Sequence, residues 1–423
     1  MEKFDFIICG TGCSGLLLAH YINLSPALSN KNVLLIDNRI NPCQGHTFGF
    51  WDKGENEFDP IVTAKWNKLL VANHSAYIPL TLKNYTYKMI KGPDLYQTIK
   101  NKLECNPNFI FINDTVKTVS ELKDEAIVVT NKNSYLGNYL FNSTTPDYKK
   151  IDKNKEYITL WQHFKAWEIT TPFDSFDVSM VTFMDFRVEQ GNSTRFGYVL
   201  PISENKALVE VIAFDNNLSD TGSFDILLRD YIANILKIDN YEINYTESGI
   251  IPMTEYPFQR KENSHLINIG LRGGMVSSAT GYGFSRMQKE IKQIVAGLEK
   301  HERPVAKDKL WLRRFRLYNN TLLDVLFKKR LTGNLLFTNF FRKNNPERIF
   351  RFLNGSTTLF EELSIFYTVN ISAFIKAIIF TLIRSLKRNF KSLWRIKKTT
   401  ILFSKLFKSE PSKLDIVPTA KTG

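Results

Sequence analysis

The chain has 423 residues, 43% of them hydrophobic, which is enough for a large core and excludes a wholly disordered protein. Its four cysteines (Cys9, Cys13, Cys43, Cys105) are irregularly spaced with no CxxC pair, and six histidines add no metal-ligand pattern, so a reduced cytosolic protein without a metal is expected. The net charge of +14 is local, because ten Lys or Arg and no Asp or Glu fall between residues 363 and 409.

The first residues run straight into an apolar strand, FDFIIC at 4–9, without the apolar core and cleavage site of an export signal. The strand ends in GTGCSG, with Gly10, Gly12 and Gly15 in GxGxxG register, followed by a helical stretch, LLLAHYINL, and a second strand, NVLLID, ending at Asp37. In such a β-α-β unit the first glycine permits the turn, the second lets the backbone approach a pyrophosphate, and the third lets the helix pack on the strand. The helix N-terminus then faces the phosphates with free N–H groups, and Ser14 belongs to the same cofactor-binding loop. Asp37 stands where an acidic residue would bind a ribose.

Residues 41–141 mix polar loops with short alternating segments, among which KGPDLYQTIKNKL reads as a helix and FIFIND and EAIVVT as strands, before YLFNSTTP stops at a proline. From 161 to 214 aromatic and β-branched runs separated by turns predict an antiparallel sheet. SHLINIGLRGGMVSSATGYGF then returns to a strand and a glycine turn ahead of the helix SRMQKEIKQIVAGLEK, so the chain re-enters its first domain. Gly273, Gly274 and Gly281 in that late turn favour FAD over NAD, since a large flavin site is assembled from distant segments. Helices dominate from residue 311. The expected architecture is α/β: a Rossmann-like FAD-binding domain (1–150 with 260–305), an antiparallel-sheet substrate domain (151–259), a helical region (306–370), a basic amphipathic tail (371–408) and a disordered end (409–423).

Within the sheet, ALVEVIAF is apolar on both alternating faces except for Glu210, which shares one face with Leu208, Ile212 and Phe214. An ionised carboxylate buried there without a partner is costly. Glu210 therefore pairs with a cation such as Arg187 or Arg195, faces solvent at a sheet edge, or is a protonated acid of raised pKa suited to an apolar substrate. Nearby, Trp161, His163, Trp167, Asp185 and Arg187 mix aromatic and titratable groups that would line an apolar tunnel and stabilise a cation, with Asp185 and Arg187 as an ion pair.

In the tail, Arg384, Lys387, Arg388, Lys391, Arg395 and Lys398 fall on one helical face and Ile379, Leu382, Ile383, Leu386, Phe390 and Leu393 on the other. The apolar stretch is too short to span a bilayer, which points to an interfacial helix on an anionic membrane surface rather than to nucleic acid, for which no reader motif is present.

Together these segments resemble the lycopene cyclase family. The resemblance rests on GTGCSG with Asp37, GHTFGFW at 45–51, LWQHFKAWEI at 160–169, FMDFR at 183–187, YVLPI at 198–202, ALVEVIAF, IPMT at 251–254 and NIGLRGGMVSSATGYGF, and extends to about residue 380. It implies a cyclase that closes the ends of lycopene into β-rings using reduced FAD, with NADPH as reductant and no net redox change, on the cytoplasmic side of a membrane as a peripheral protein. The family's proton donor matches Glu210. Where relatives often carry a second acidic or polar residue directly after it, this chain has Val211, which places the proton-transfer role on Glu210 alone. Arg272 stands where a small residue is usual. The alternatives are an FAD-dependent monooxygenase or reductase acting on an isoprenoid, and a non-catalytic membrane-attached flavin- or carotenoid-binding protein.

Overall fold

The computed structural model describes residues 1–39, 43, 45–218, 223–261, 264–305 and 313–406, with 389–406 described by backbone alone. The expected end at 409–423 and the side chains of Phe390, Lys391, Leu393, Arg395 and Lys398 lie outside the described residues. In chain order the first elements are β1 (Glu2–Cys9), α1 (Cys13–Leu24), β2 (Val33–Asp37), β3 (Thr47–Asp52), β4 (Ala64–Trp66), β5 (Lys68–Asn73), β6 (Ala76–Thr81), β7 (Thr86–Lys91), α2 (Gly92–Glu104), β8 (Phe109–Asn113), β9 (Val116–Glu121), β10 (Ala126–Thr130) and β11 (Ser134–Asn142). Then follow α3 (Tyr148–Lys153), β12 (Thr159–Thr170), β13 (Met180–Asp185), β14 (Thr194–Ser203), β15 (Lys206–Asp215), α4 (Phe224–Asp230), β16 (Glu242–Thr254) and β17 (Leu266–Asn268). The last are α5 (Phe284–Glu299), α6 (Arg313–Phe327), α7 (Gly333–Lys343), α8 (Pro346–Leu353), α9 (Leu359–Phe366) and α10 (Ile371–Leu406).

One sheet runs β8-β2-β1-β11-β10-β9, with β17 parallel to the end of β11. Its central strands are apolar on both faces because both are covered: Phe6 and Ile8 pack with α1 and α5, while Ile7 and Cys9 pack with Leu34, Ile36 and Val128. The second sheet runs β16-β12-β15-β14-β13-β5-β6. Its strands from 159 onward are antiparallel, but β13 pairs in parallel with β5, which arrives from the first third of the chain. That hairpin, β5 with β6, extends the second sheet from within residues 1–150. A third, small sheet, β3-β7-β4, lies in the stretch that the sequence reads as loops and short segments.

The alternation in β15 sorts its two faces. Leu208, Ile212 and Phe214 enter a cluster with Trp51, Tyr87 and Phe350, whereas Ala207, Val209, Val211 and Ala213 lie under α4 with Tyr231. The helices after residue 313 cover the first face, with Phe337 of α7 against Phe186 and Phe214 and Phe341 against Phe183.

Candidate active site

The first glycine loop is built to admit a ligand at one position only. Gly10 takes φ +91°, in the left-handed region, and donates its N–H to Ile36 O at 2.8 Å, turning the chain at the end of β1. A Cβ on Gly15 would fall 2.0 Å from Gly10 O, so helix and strand touch there, whereas a Cβ on Gly12 would meet no atom within 4 Å. No side chain caps the N-terminus of α1, which leaves its first N–H groups free for an anion. Asp37 Oδ2 accepts from Thr11 N at 2.8 Å and Oδ1 from Arg39 Nε at 3.1 Å, so this carboxylate clamps the loop from the end of β2.

The late glycine turn packs onto this loop. Ser14 Oγ lies 2.6 Å from Ser143 Oγ, and a Cβ on Gly270 would fall 2.3 Å from Ser14 Oγ. Gly274 (φ +66°) and Gly281 (φ +74°) bend the backbone back, and Gly273 presses on Asn268 O, 2.4 Å from where its Cβ would be. At Gly281 a Cβ would meet Gln162 Oε1 at 2.0 Å, so the turn reaches from the first sheet to β12 of the second. Arg272 donates from Nε to Thr144 O at 3.0 Å and from Nη2 to Thr145 O at 2.6 Å, which ties it to the chain after β11 and explains a long cation at that place.

Glu210 sits in a row that crosses four strands. Ladder register sets Tyr198 of β14, Glu210 of β15, Ala166 of β12 and Glu247 of β16 side by side on one face. Glu210 is 8% exposed and makes no ion pair or hydrogen bond among the described residues. Burial, and then the nearby Glu247, push its carboxyl well above the ordinary range, which favours the protonated form. The cations considered as partners are engaged elsewhere: Arg187 Nη2 is 2.6 Å from Asp185 Oδ2, and Arg195 donates to Ser193 Oγ and Glu189 O. Beside the acid stand three phenols. Tyr198 and Tyr87 hydroxyls lie 2.5 Å apart, and Tyr87 donates to Tyr282 at 3.0 Å; burial raises all three pKa values and keeps them as O–H groups. Gly49 is required there, since a Cβ would fall 2.5 Å from the Tyr87 hydroxyl.

The other titratable and aromatic candidates lie on the opposite face, which corrects the expectation that they line a tunnel with Glu210. Trp161 donates from Nε1 to Asp152 at 3.0 Å, Trp167 lies under the Arg229 guanidinium, and His163 Nε2 is 3.2 Å from Asn217 O. Asp185 is fully buried, paired with Arg187 and accepting from the Tyr231 hydroxyl at 3.0 Å beneath α4. The reason is the period of two along a strand: in β12 the odd-numbered residues face away from Ala166. The aromatic wall on the acid's side comes from Trp51, Tyr87, Phe183, Tyr198 and Tyr282, contributed by five separate segments. Glu247 is the residue that sequence reading missed. Its signal is weak, one acid alternating with Tyr245, Gly249, Ile251 and Met253 in a strand whose start is polar.

A cavity of about 1530 Å³ runs from Gly273 and Gly274 past Trp51, Tyr282 and Phe352 to Ile371, Ile375 and Leu382. Glu210 does not line it; Tyr282 belongs both to the cavity wall and to the phenol network beside the acid. At the far end α10 docks by a stripe of small and basic residues. Ala373 and Ala377 are buried, Arg384 Nη2 is 4.0 Å from the buried Asp324 carboxylate, and Arg388 stacks on Tyr157 and donates to Glu156 O at 3.2 Å. Its apolar residues Ile371, Ile375, Ile379, Leu382, Ile383 and Leu386 are exposed. The amphipathic pattern is therefore turned so that two of its cations face the protein. No described helix is long and apolar enough to cross a membrane.

The family described as "Lycopene cyclase protein" matches residues 5–379. A lycopene beta-cyclase of a Paracoccus species is 23% identical over 308 residues, 70% of this chain and 73% of that protein. Among solved structures, a geranylgeranyl bacteriochlorophyll reductase-like protein of Thermoplasma acidophilum superposes with TM-score 0.56 at 14% identity, over 89% of this chain and 96% of that one. A flavoprotein/dehydrogenase of Cytophaga hutchinsonii gives 0.57 at 12% identity, over 90% and 99%. These likenesses fix the fold as the Rossmann-like α/β flavoprotein type.

Proposed function

The chain belongs to the lycopene cyclase family, and on that premise we propose that it is a lycopene beta-cyclase that closes both ends of lycopene without net redox change. The observation that carries this reading is Glu210: a buried carboxyl of raised pKa, unpaired among the described residues, on a face of aromatic and aliphatic side chains. The loop and late turn fit FAD, because the open side of Gly12 and the uncapped start of α1 accept a pyrophosphate and the second glycine turn lies against them. Reduced FAD, when bound, supplies an electron-rich ring whose field favours positive charge, and NADPH is the reductant that maintains it.

Glu210 gives its proton to the terminal double bond of the carotenoid end, leaving a tertiary cation that the neighbouring internal double bond attacks. Closure moves the charge into the ring, and loss of the ring proton gives the β-ring. Side chains on this face keep water from the cation, and the faces of Trp51, Phe183 and Tyr282 lie where cationic charge is stabilised by ring quadrupoles.

The outward apolar face of α10 supports peripheral attachment to an anionic membrane, on its cytoplasmic side, where the carotene resides. Ile371, Ile375 and Leu382 both line the cavity and are exposed, so its mouth opens through the helix that would lie in the lipid interface.

The test is anaerobic incubation of the purified protein with lycopene in anionic vesicles and chemically reduced FAD. Rings formed in many-fold excess over electrons supplied support the cyclase. A monooxygenase or reductase consumes reductant in proportion to product, and that result overturns the reading. A second measurement isolates the cofactor. A Cβ at residue 12 meets no protein atom within 4 Å, so for Gly12→Ala stability is expected to change by no more than about 0.5 kcal/mol while bound flavin, read by visible absorbance, is lost. Retention of flavin by this variant would remove the loop from the site.

A further inference from the structure

The resemblance to the family places proton transfer on Glu210 alone, because Val211 occupies the position of a second acid. The structure changes the question. Val211 points to the opposite face, under α4, so a carboxyl there would not reach the row that holds Glu210. A second carboxylate does reach it, from β16. Glu247 lies directly across Ala166 from Glu210, and adjacent strands are about 4.8 Å apart, so the two backbones stand roughly 10 Å apart with only a methyl group between their side chains. The small side chain of Ala166 thus leaves the two carboxyl-bearing side chains as neighbours on one face of the sheet.

The geometry points to Glu247 as the second carboxylate of the cyclisation, the base that takes the ring proton while Glu210 supplies the terminal one; the inference rests on the cyclase reading above. The proton balance closes. The Glu210 O–H bond breaks as a C–H bond forms at the terminal alkene, the ring carbon–carbon bond forms from the internal alkene's electron pair, and Glu247 takes the proton from the ring-junction carbon as its electrons become the new ring double bond. The site then holds an ionised Glu210 and a protonated Glu247, and transfer of that proton between the two carboxyls, or through solvent, restores the start. No oxidant or reductant is needed.

The surroundings suit the role. Glu247 is 5% exposed, and its Oε2 accepts one hydrogen bond, from Thr47 Oγ1 at 2.8 Å on β3. Burial pushes its carboxyl up to about 7, against the pull of the Thr47 hydroxyl, and Glu168 adds to the rise. Of the charged groups on that side, Glu168 is itself held by Lys91 and Lys206, so neither cation is free to neutralise Glu247. A base poised near neutrality takes up and gives back a proton readily.

The test uses the full-length flavoprotein in lipid and three variants. In Glu247→Gln, kcat is expected to fall at least 100-fold with little change in KM, and residual product is expected to shift from β- to ε-rings as the proton is lost from the neighbouring ring carbon. Thr47→Val removes the bond that holds the Glu247 pKa down, so the acid limb of the kcat/KM profile is expected to move to higher pH; a structural role would leave it in place. Unchanged β-ring product and rate in Glu247→Gln, or an unmoved limb in Thr47→Val, overturns the inference. Failure of the cyclase reading is distinct, because then neither wild type nor any variant forms rings, while Glu210→Gln alone losing activity keeps that reading and removes Glu247.

Discussion

Glu210→Gln is expected to lose ring formation and to gain stability at neutral pH. The loss follows from its position. Glutamine keeps the shape and the burial but has no proton to give, and general acid catalysis of this kind contributes roughly 100- to 10,000-fold to rate. The gain follows from linkage. Burial holds the folded pKa of Glu210 above its ordinary value of 4.5, so between 4.5 and that raised value the folded chain carries a proton that the unfolded chain has shed. Wild-type stability therefore falls as pH rises through this window, and Glu247 adds a second fall between 4.5 and about 7. The variant lacks the Glu210 part of the loss. Its advantage is expected to be near zero below pH 4.5 and to grow with pH, as read by urea unfolding of both proteins at several pH values. A variant that keeps more than a tenth of the wild-type rate, or that is less stable than wild type at pH 7, would show that Glu210 is a packing residue.

The second large effect concerns α10. Replacing Ile375, Ile379 and Leu386 together by serine is expected to release the protein from anionic vesicles while leaving it folded. These side chains are exposed, so the fold loses little packing. On a membrane each contributes about 1.5 kcal/mol or more when buried in the interface, so three removals cost on the order of 5 kcal/mol, more than 1,000-fold in partition. By comparison, the exposed Lys376 and Lys387 contribute about 1 kcal/mol each, and neutralising both is expected to weaken binding less and mainly at low salt. Vesicle co-sedimentation at two ionic strengths separates the terms. Attachment unchanged in the triple variant would mean that α10 is not the docking element.

The parts of this molecule that were legible in the sequence are those written locally. A glycine loop between strand and helix is specified within a few residues, and so is a strand's alternation, which put Leu208, Glu210, Ile212 and Phe214 on one face correctly. What was not legible depends on which strands become neighbours. Trp161 and His163 look like companions of Glu210 along the chain, yet the parity of β12 sends them to the other side. Glu247, 37 residues downstream, becomes the acid's neighbour only once β12 lies between β15 and β16. Likewise helical periodicity found both faces of α10 but not their direction, because that is decided by a buried Asp324 on α6 and the ring of Tyr157, far away in sequence.

The hairpin β5–β6 has a consequence for how the chain is made. It leaves the ribosome about a hundred residues before β13, the strand it joins, and the first sheet is still incomplete at the end of β11 until β17 emerges at Leu266–Asn268. Neither lobe closes before most of the polypeptide has been synthesised, so a chain halted earlier carries open strand edges and bare apolar faces, the condition that favours aggregation and chaperone capture. Dissecting the protein into a flavin half and a substrate half would cut through both sheets.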